Sequence, residues 1–143
     1  MKDTFIPSSS NLKKQWYVID AKDKYLGRLA TEVVQILRGK NKVYYTPFQN
    51  SGDCIIILNA KNIVVTGKKA KQKTYMRHSG RPGGKTIESF ENLQLRLPNK
   101  IVEKAIKGML PKNRLGRELF SKLKVYEGNT HPHQAQKPEV ITL

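Results

Sequence analysis

Residues 80–86 come closest to a recognised chemical motif in this chain. They read GRPGGKT, and a glycine-rich loop followed by lysine and threonine is the pattern whose backbone amides cradle a nucleotide phosphate. The spacing differs from that pattern, because three residues rather than four separate the first glycine from the Gly-Lys-Thr. The polar segment 71–78 does not have the pattern of the buried strand that should precede such a loop. Residues 86–92 carry only a weak pattern for the helix that should follow it. The sequence therefore argues against nucleotide hydrolysis.

Metal-ligating and nucleophilic side chains are few. His131 and His133 flank a proline, and two imidazoles without a carboxylate or cysteine cluster do not complete a coordination shell. Cys54 is the only cysteine, which excludes an intrachain disulfide and a multi-cysteine metal site. No motif places a nucleophile and an orienting acid beside a histidine, although a triad can also assemble from distant residues. We therefore predict no metal, no cofactor, no small-molecule substrate and no enzymatic activity.

The charge balance points instead to a polyanionic partner. Among 143 residues there are 27 lysines and arginines against 11 acids, which gives a net charge of +16 and a pI near 10.1. The excess positive side chains repel one another in a compact fold, so a partner with negative charge is expected. Nucleic acid is the leading candidate. The longest apolar run, 54–58, is far shorter than a membrane span, so no membrane partner is predicted.

Length and terminal composition suggest one domain with extended ends. A chain of this size fits a single domain, 1–143, with a modest core. Residues 1–14 contain no apolar stretch that would mark the chain for export, and they read as a flexible extension. Residues 129–143, with prolines at 132 and 138, read as an extended tail.

The first basic region runs from Gly67 to Lys85. No acidic residue lies between Asp53 and Glu88, and the glycines and proline of 80–84 oppose regular structure, so we expect a long loop. Basic side chains with an interleaved aromatic residue suit a phosphate backbone and an unstacked base. The alternative is a flexible, solvated loop. The predicted RNA-contacting residues here are Lys68, Lys69, Lys71, Lys73, Tyr75, Arg77, His78, Arg81 and Lys85.

The second basic region runs from 107 to 128. Pro111 must end any helix that precedes it, and Leu115, Leu119 and Leu123 then recur at helical spacing. Glu118 is the single acid between positions 107 and 124, so little internal ion pairing neutralises the segment. The alternative is a solvated helix with extended lysines. The predicted contacts here are Lys107, Lys112, Arg114, Arg117, Lys122 and Lys124.

A strand, a helix and a second strand should position these regions. Residues 16–19 and 54–58 read as buried strands, and the apolar spacing from Leu26 predicts a helix that ends at Gly39. This order favours a βαβ unit with parallel strands. On the helix and just after it, the predicted RNA contacts are Arg28, Arg38, Lys40 and Lys42.

Weaker patterns predict the remaining elements. Residues 63–65 and 124–127 are expected to form short strands, and residues 88–95 a short helix. Pro98 suits the first turn of a further helix, because its missing amide hydrogen is harmless there. The residues alone thus predict a basic α/β domain.

Nine short segments stand out as a set: WYVIDA (16–21), LGRLA (26–30), RGK (38–40), YTP (45–47), LNA (58–60), VTG (65–67), KGMLP (107–111), LGR (115–117) and KLKVY (122–126). Together they resemble one protein family, bacterial-type large-subunit ribosomal protein thirteen. Residues 78–84 and 131–136 are similar to the cyanobacterial and plastid branch. Glu127 and residues 97–99 depart from the family pattern.

The resemblance implies both a fold and a partner. The fold would be a three-layer α/β/α sandwich around a four-stranded, mainly parallel sheet, with a long basic loop and extended termini. The protein would bind 23S-type ribosomal RNA early in large-subunit assembly and contact neighbouring ribosomal proteins. It would reside on ribosomes of a bacterial cytoplasm or a plastid (chloroplast) stroma. The alternatives are a free RNA- or DNA-binding regulator and a nucleotide-using enzyme.

Overall fold

The computed structural model describes residues 6–8, 12 and 14–142. The flexible extension predicted over 1–14 therefore falls largely outside the described residues. In chain order the elements are β1 (Trp16–Asp20), α1 (Leu26–Arg38), β2 (Cys54–Leu58), α2 (Lys69–Gln72), β3 (Thr74–His78), β4 (Lys85–Ser89), α3 (Phe90–Arg96), α4 (Pro98–Met109), α5 (Arg114–Ser121), β5 (Leu123–Val125) and β6 (Glu139–Ile141).

A four-stranded sheet in the order β5-β2-β1-β6 forms the centre of the molecule. All three strand pairings are parallel, and β1 pairs with β2 from Trp16 opposite Cys54 to Asp20 opposite Leu58. The continuous apolar runs of β1 and β2 fit this position, because strands in a parallel sheet are covered on both faces. The predicted α/β fold around a four-stranded parallel sheet is confirmed.

One face of the sheet carries the main core. Ile19, Ile55 and Ile57 point to this face and pack in one buried cluster with α1 and α4. Each fully buried aliphatic side chain contributes about 1.5–3 kcal/mol, so this cluster dominates the stability of the fold. The helical residues in it include Leu29, Val33, Leu37, Ile101, Val102, Ile106 and Leu119.

The other face carries a thinner layer. Val18, Ile56 and Leu58 form a smaller buried cluster there, with Trp16 and Tyr126 against it. A 3-10 turn at Gln134–Gln136 follows His133, whose ring lies 5.3 Å from that of Trp16. The C-terminal segment therefore contributes to the covering of the face that α1 and α4 leave open.

Two of the predicted strands and the tail differ from the structure. Residues 63–65 form no strand, because Val64 makes only a single bridge, to Tyr25. The extended tail predicted over 129–143 is wrong for Glu139–Ile141, which pairs with β1 as the fourth strand. The strand predicted at 124–127 is present one residue earlier, at Leu123–Val125.

The long loop predicted from Gly67 to Lys85 is also wrong. The segment contains the helical turn α2 and the strand β3, which pairs with β4 as an antiparallel hairpin. Residues 79–84 form the turn of this hairpin, where Gly80 and Gly83 adopt φ values of 88° and 74° that favour glycine. Because β4 extends to Ser89, the helix predicted at 88–95 begins instead at Phe90.

The predicted helix boundaries elsewhere are confirmed. Gly39 closes α1 in the left-handed conformation, φ 74°, and Pro98 occupies the first turn of α4. After Pro111, the Asn113 side chain accepts a hydrogen bond of 2.8 Å from the Gly116 amide and thereby caps α5. Residues 110–113 therefore separate α4 from α5.

Candidate nucleic-acid interface

The β3–β4 hairpin presents the first group of basic side chains. Arg77, Arg81 and Lys85 are exposed on it, and the tight 79–84 turn holds their backbone. The Ser79 amide donates to Gly84 O at 3.0 Å, and the Gly84 amide donates to Arg81 O at 2.9 Å. The hairpin thus carries its charge on an ordered backbone, which spares part of the entropy that a flexible loop would lose on binding.

Two other hairpin residues have partners within the protein. The Tyr75 ring is half-buried and packs against Phe90, with the two ring centroids 6.5 Å apart. Burial raises the pKa of the Tyr75 hydroxyl. The Lys73 and Lys104 ammonium groups lie 5.7 and 4.8 Å from its centroid. His78 Nδ1 accepts a hydrogen bond of 2.9 Å from the Gly80 amide. Tyr75 therefore attaches the hairpin to the core.

A first groove, of about 730 Å³, lies between the start of α1 and α2. Arg28, Lys69 and Lys73 line it. Among the described residues, no side chain caps the first turn of α1 and no acid lies in that turn. The positive end of the helix dipole therefore adds to the three cations, as suits a phosphate group.

A second groove, of about 470 Å³, lies between the end of α4 and α5. Lys107, Lys112 and Arg117 line it together with Leu110 and Phe120. The structure thus brings together three residues that the sequence predicted as RNA contacts. Arg114, also predicted, is exposed at the first position of α5.

A third groove, of about 290 Å³, contains basic residues that the sequence prediction left out. It lies between the hairpin and α4, and Arg96, Lys100 and Lys104 line it beside Arg77. Arg96 donates to Glu88 at 3.0 and 2.6 Å, which lowers the pKa of that carboxyl. Lys100 and Lys104 are four residues apart, which places both on one side of a helix. This spacing is the sequence feature that could have identified them as part of a basic surface.

Two predicted contacts near α1 have partners inside the protein. Lys42 Nζ lies 2.6 Å from Oδ1 of the fully buried Asp53. Arg38 Nη2 donates to the Tyr45 hydroxyl at 2.8 Å. Lys40 is exposed on the same turn. Lys42 and Arg38 therefore stabilise the 39–53 turn.

Lys122 also points into the protein. Its ammonium donates to Gly52 O at 2.6 Å and to Asn50 Oδ1, so it attaches the end of α5 to the same turn. Desolvation on burial lowers its pKa to about 8. Lys124 is exposed but pairs in register with Ile56, so strand alternation places it on the sheet face opposite α1 and α4.

Fifteen of the nineteen predicted residues fall into three groups, and the other four, described above, are Lys40, His78, Arg114 and Lys124. The first and second grooves and the hairpin bring together Arg28, Lys69, Lys73, Arg77, Arg81, Lys85, Lys107, Lys112 and Arg117. Lys68 and Lys71 are exposed on and beside α2, near the first groove. Arg38, Lys42, Tyr75 and Lys122 have partners inside the protein.

The motifs weighed for other chemistry have structural roles. Residues 80–86 form the hairpin turn and the start of β4, not a loop that leads into a helix. His133 Nε2 lies 2.7 Å from the Tyr126 hydroxyl, within the thin layer over the sheet. Within the described residues, no group of three or more His, Cys, Asp or Glu side chains is arranged to hold a metal ion.

Over the part of the chain that the structure describes, no helix is long and apolar enough to cross a bilayer.

Comparison with known proteins gives consistent matches. The family described as ribosomal protein L13 matches residues 14–132. A protein of Gloeothece citriformis named large ribosomal subunit protein uL13 is 63% identical over 143 residues, which cover all of this chain and 95% of that relative. Relatives with the same name in Crocosphaera subtropica and a Nostoc species are 64% and 59% identical over 143 residues, again with 95% of each relative covered.

Proposed function

Because this chain belongs to the ribosomal protein L13 family, we propose that it is a structural constituent of the large ribosomal subunit that binds ribosomal RNA. The observation that carries this proposal is the full-length similarity to proteins named large ribosomal subunit protein uL13. The same similarity makes the protein a structural component of translation rather than an enzyme.

The proposal has a physical basis in a rigid sheet that holds a basic surface in position. The sheet and the α1–α4 layer hold the hairpin and the two larger grooves in fixed positions. Arginine and lysine at these places supply affinity for phosphates, and their arrangement selects a folded RNA of matching shape. If about six to ten phosphates are neutralised, raising salt from about 50 to 200 mM weakens binding by about three to five decades.

The finer assignment is 23S-type RNA bound early in assembly, with neighbouring ribosomal proteins in contact. The net charge of +16 supports an RNA partner, because it calls for a polyanion that neutralises it, and the early role rests on the family resemblance. The relatives reported above are bacterial, so the location that fits is ribosomes of a bacterial cytoplasm, with a plastid stroma as the other setting.

In-cell crosslinking combined with sedimentation tests the proposal directly. RNA attached to the protein is sequenced, and the lysate is separated on a sucrose gradient. We expect crosslinks at a few large-subunit RNA positions and protein that sediments with the large subunit. Diffuse crosslinks to messenger RNA or DNA, with the protein free on the gradient, would replace this function with that of a free regulator.

A further inference from the structure

The second groove combines an aromatic ring with an apolar floor and three cations. Leu110, Pro111, Gly116 and Phe120 line it, and its cations lie around this apolar surface. We infer that this groove binds an unstacked base of the RNA, with the phosphates on either side of that base held by Lys112 and Arg117. This inference rests on the RNA-binding function proposed above.

The backbone gives this groove a fixed shape. A Cβ atom added at Gly116 would lie 1.8 Å from Pro111 O, so only glycine allows α5 to approach the turn this closely. Asn113 fixes the first turn of α5 through its hydrogen bond to the Gly116 amide. The floor is therefore formed before any ligand arrives, which reduces the entropy lost on binding.

Charge complementarity identifies the chemistry of the occupant. Lys107, Lys112 and Arg117 line the groove, and no acid is among its lining residues within the described part of the chain. The nearby acid, Glu118, accepts a hydrogen bond of 2.6 Å from Asn50 Nδ2 outside the groove. An occupant must therefore combine a flat apolar body with negative charge at its edges, as a nucleotide does.

The aromatic ring supports a base rather than a phosphate alone. Phe120 is half-buried, and the Lys107 ammonium lies 5.6 Å from its ring centroid. An incoming base can stack on such a ring, while Lys107 remains close enough to pair with a phosphate. Bases inside a duplex are already stacked, so the groove fits a nucleotide in a loop or bulge of the RNA.

Two substitutions separate stacking from charge in this groove. Phe120→Leu keeps an apolar side chain but removes the aromatic ring, and Lys112→Gln removes one charge. With the full chain and large-subunit ribosomal RNA freed of protein, we expect Phe120→Leu to weaken binding about five- to 150-fold with an unchanged salt slope. We expect Lys112→Gln to reduce the salt slope by about 0.7 to 0.9. Phe48→Leu, an exposed ring outside the grooves, is the matched control and should leave affinity unchanged.

A second measurement uses the unaltered protein. Irradiating the complex at 254 nm should attach a nucleotide to Phe120, identified by mass spectrometry of the peptide that contains it. The inference is overturned if no adduct lies within residues 110–120, or if Phe120→Leu binds within twofold of the native chain. It is also overturned if a neighbouring protein occupies the groove in the assembled subunit. Loss of all selective binding by the native chain would instead contradict the proposed function itself.

Discussion

Basic residues serve opposite purposes in two regions of this molecule. Lys42 in the 39–53 turn and Lys122 at the end of α5 point inward, toward Asp53 and Gly52 O respectively. In the hairpin, Arg81 and Lys85 point into solvent. We call the first set, Lys42, Asp53 and Lys122, the anchor. The comparison teaches that a lysine becomes structural where a buried carboxylate or carbonyl needs a donor, and remains available to a partner where none does.

The largest effect should follow from breaking the anchor. Asp53→Asn preserves an oxygen for the Gln15 amide, which donates to Oδ1 at 3.0 Å, but removes the charge that neutralises Lys42. Leaving a largely buried ammonium without its counter-charge should cost about 3 kcal/mol. Urea unfolding followed by circular dichroism measures this loss.

An ion pair at the surface provides the matched control. Glu103→Gln breaks the pair between Lys100 and Glu103, which are 54% and 28% exposed, and should cost less than about 0.5 kcal/mol. Adding Lys42→Met to Asp53→Asn should restore part of the lost stability, because the buried ammonium whose counter-charge was removed is then gone. Equal costs for Asp53→Asn and Glu103→Gln would show that the anchor is no more than a surface pair.

The parts of the fold that sequence predicts well are those set by local pattern. The apolar runs of β1 and β2, the spacing in α1 and α4, and Gly39 each identify an element without knowledge of the rest of the chain. The last strand, β6, escaped prediction because three residues, Glu139–Ile141, carry too little pattern and pair only because the edge of β1 is open. The sequence does not predict the hairpin, because the glycines of its turn are equally typical of a long irregular loop.

The second effect concerns the hairpin and should change binding without changing stability. Arg81→Ala combined with Lys85→Ala removes two exposed charges, so the unfolding free energy should stay within about 0.5 kcal/mol of the native value. Affinity for large-subunit ribosomal RNA should fall more than about tenfold at 0.1 M salt, and the salt slope by about 1.4 to 1.8. Filter binding over a series of salt concentrations measures both quantities.

The control for the hairpin removes the same charge elsewhere. Lys22 and Lys61 are exposed and lie outside the predicted interface. Replacing both with alanine should change the salt slope much less than the hairpin pair does. If the two double variants weaken binding equally, net charge alone drives association, and the hairpin has no special place in it.

Composition predicts which segments carry the basic residues of the candidate site. It does not predict the direction in which each side chain points. Basic residues in the 67–85 and 107–124 regions were identified correctly as largely exposed. The inward direction of Lys122 could not be predicted, because its acceptor, Gly52 O, lies 70 residues away along the chain. Lys42 resembled Lys40 in sequence, and only the folded position of Asp53 distinguishes them.

The smallest effect is a dependence of the anchor on pH. The pKa of Lys122 falls from its ordinary 10.5 to about 8 in the folded protein, chiefly through desolvation. Between about pH 8 and 10.5 the unfolded chain therefore holds a proton that the folded chain has released. Stability conferred by this group thus rises with pH across that window.

Comparison with Lys122→Met isolates this contribution. Both chains should carry Cys54→Ala, because burial raises the pKa of the neighbouring thiol and its titration would overlap. The unfolding free energy of the Lys122 chain minus that of the Lys122→Met chain should increase from pH 7.5 to 9.5, by less than about 1 kcal/mol because solvent screens the half-exposed ammonium. A difference that stays flat over this range would mean that Lys122 keeps its proton and that its bonds to Gly52 and Asn50 fully offset its desolvation. Burial, and not the protonation of Lys122, would then distinguish the anchor from the hairpin.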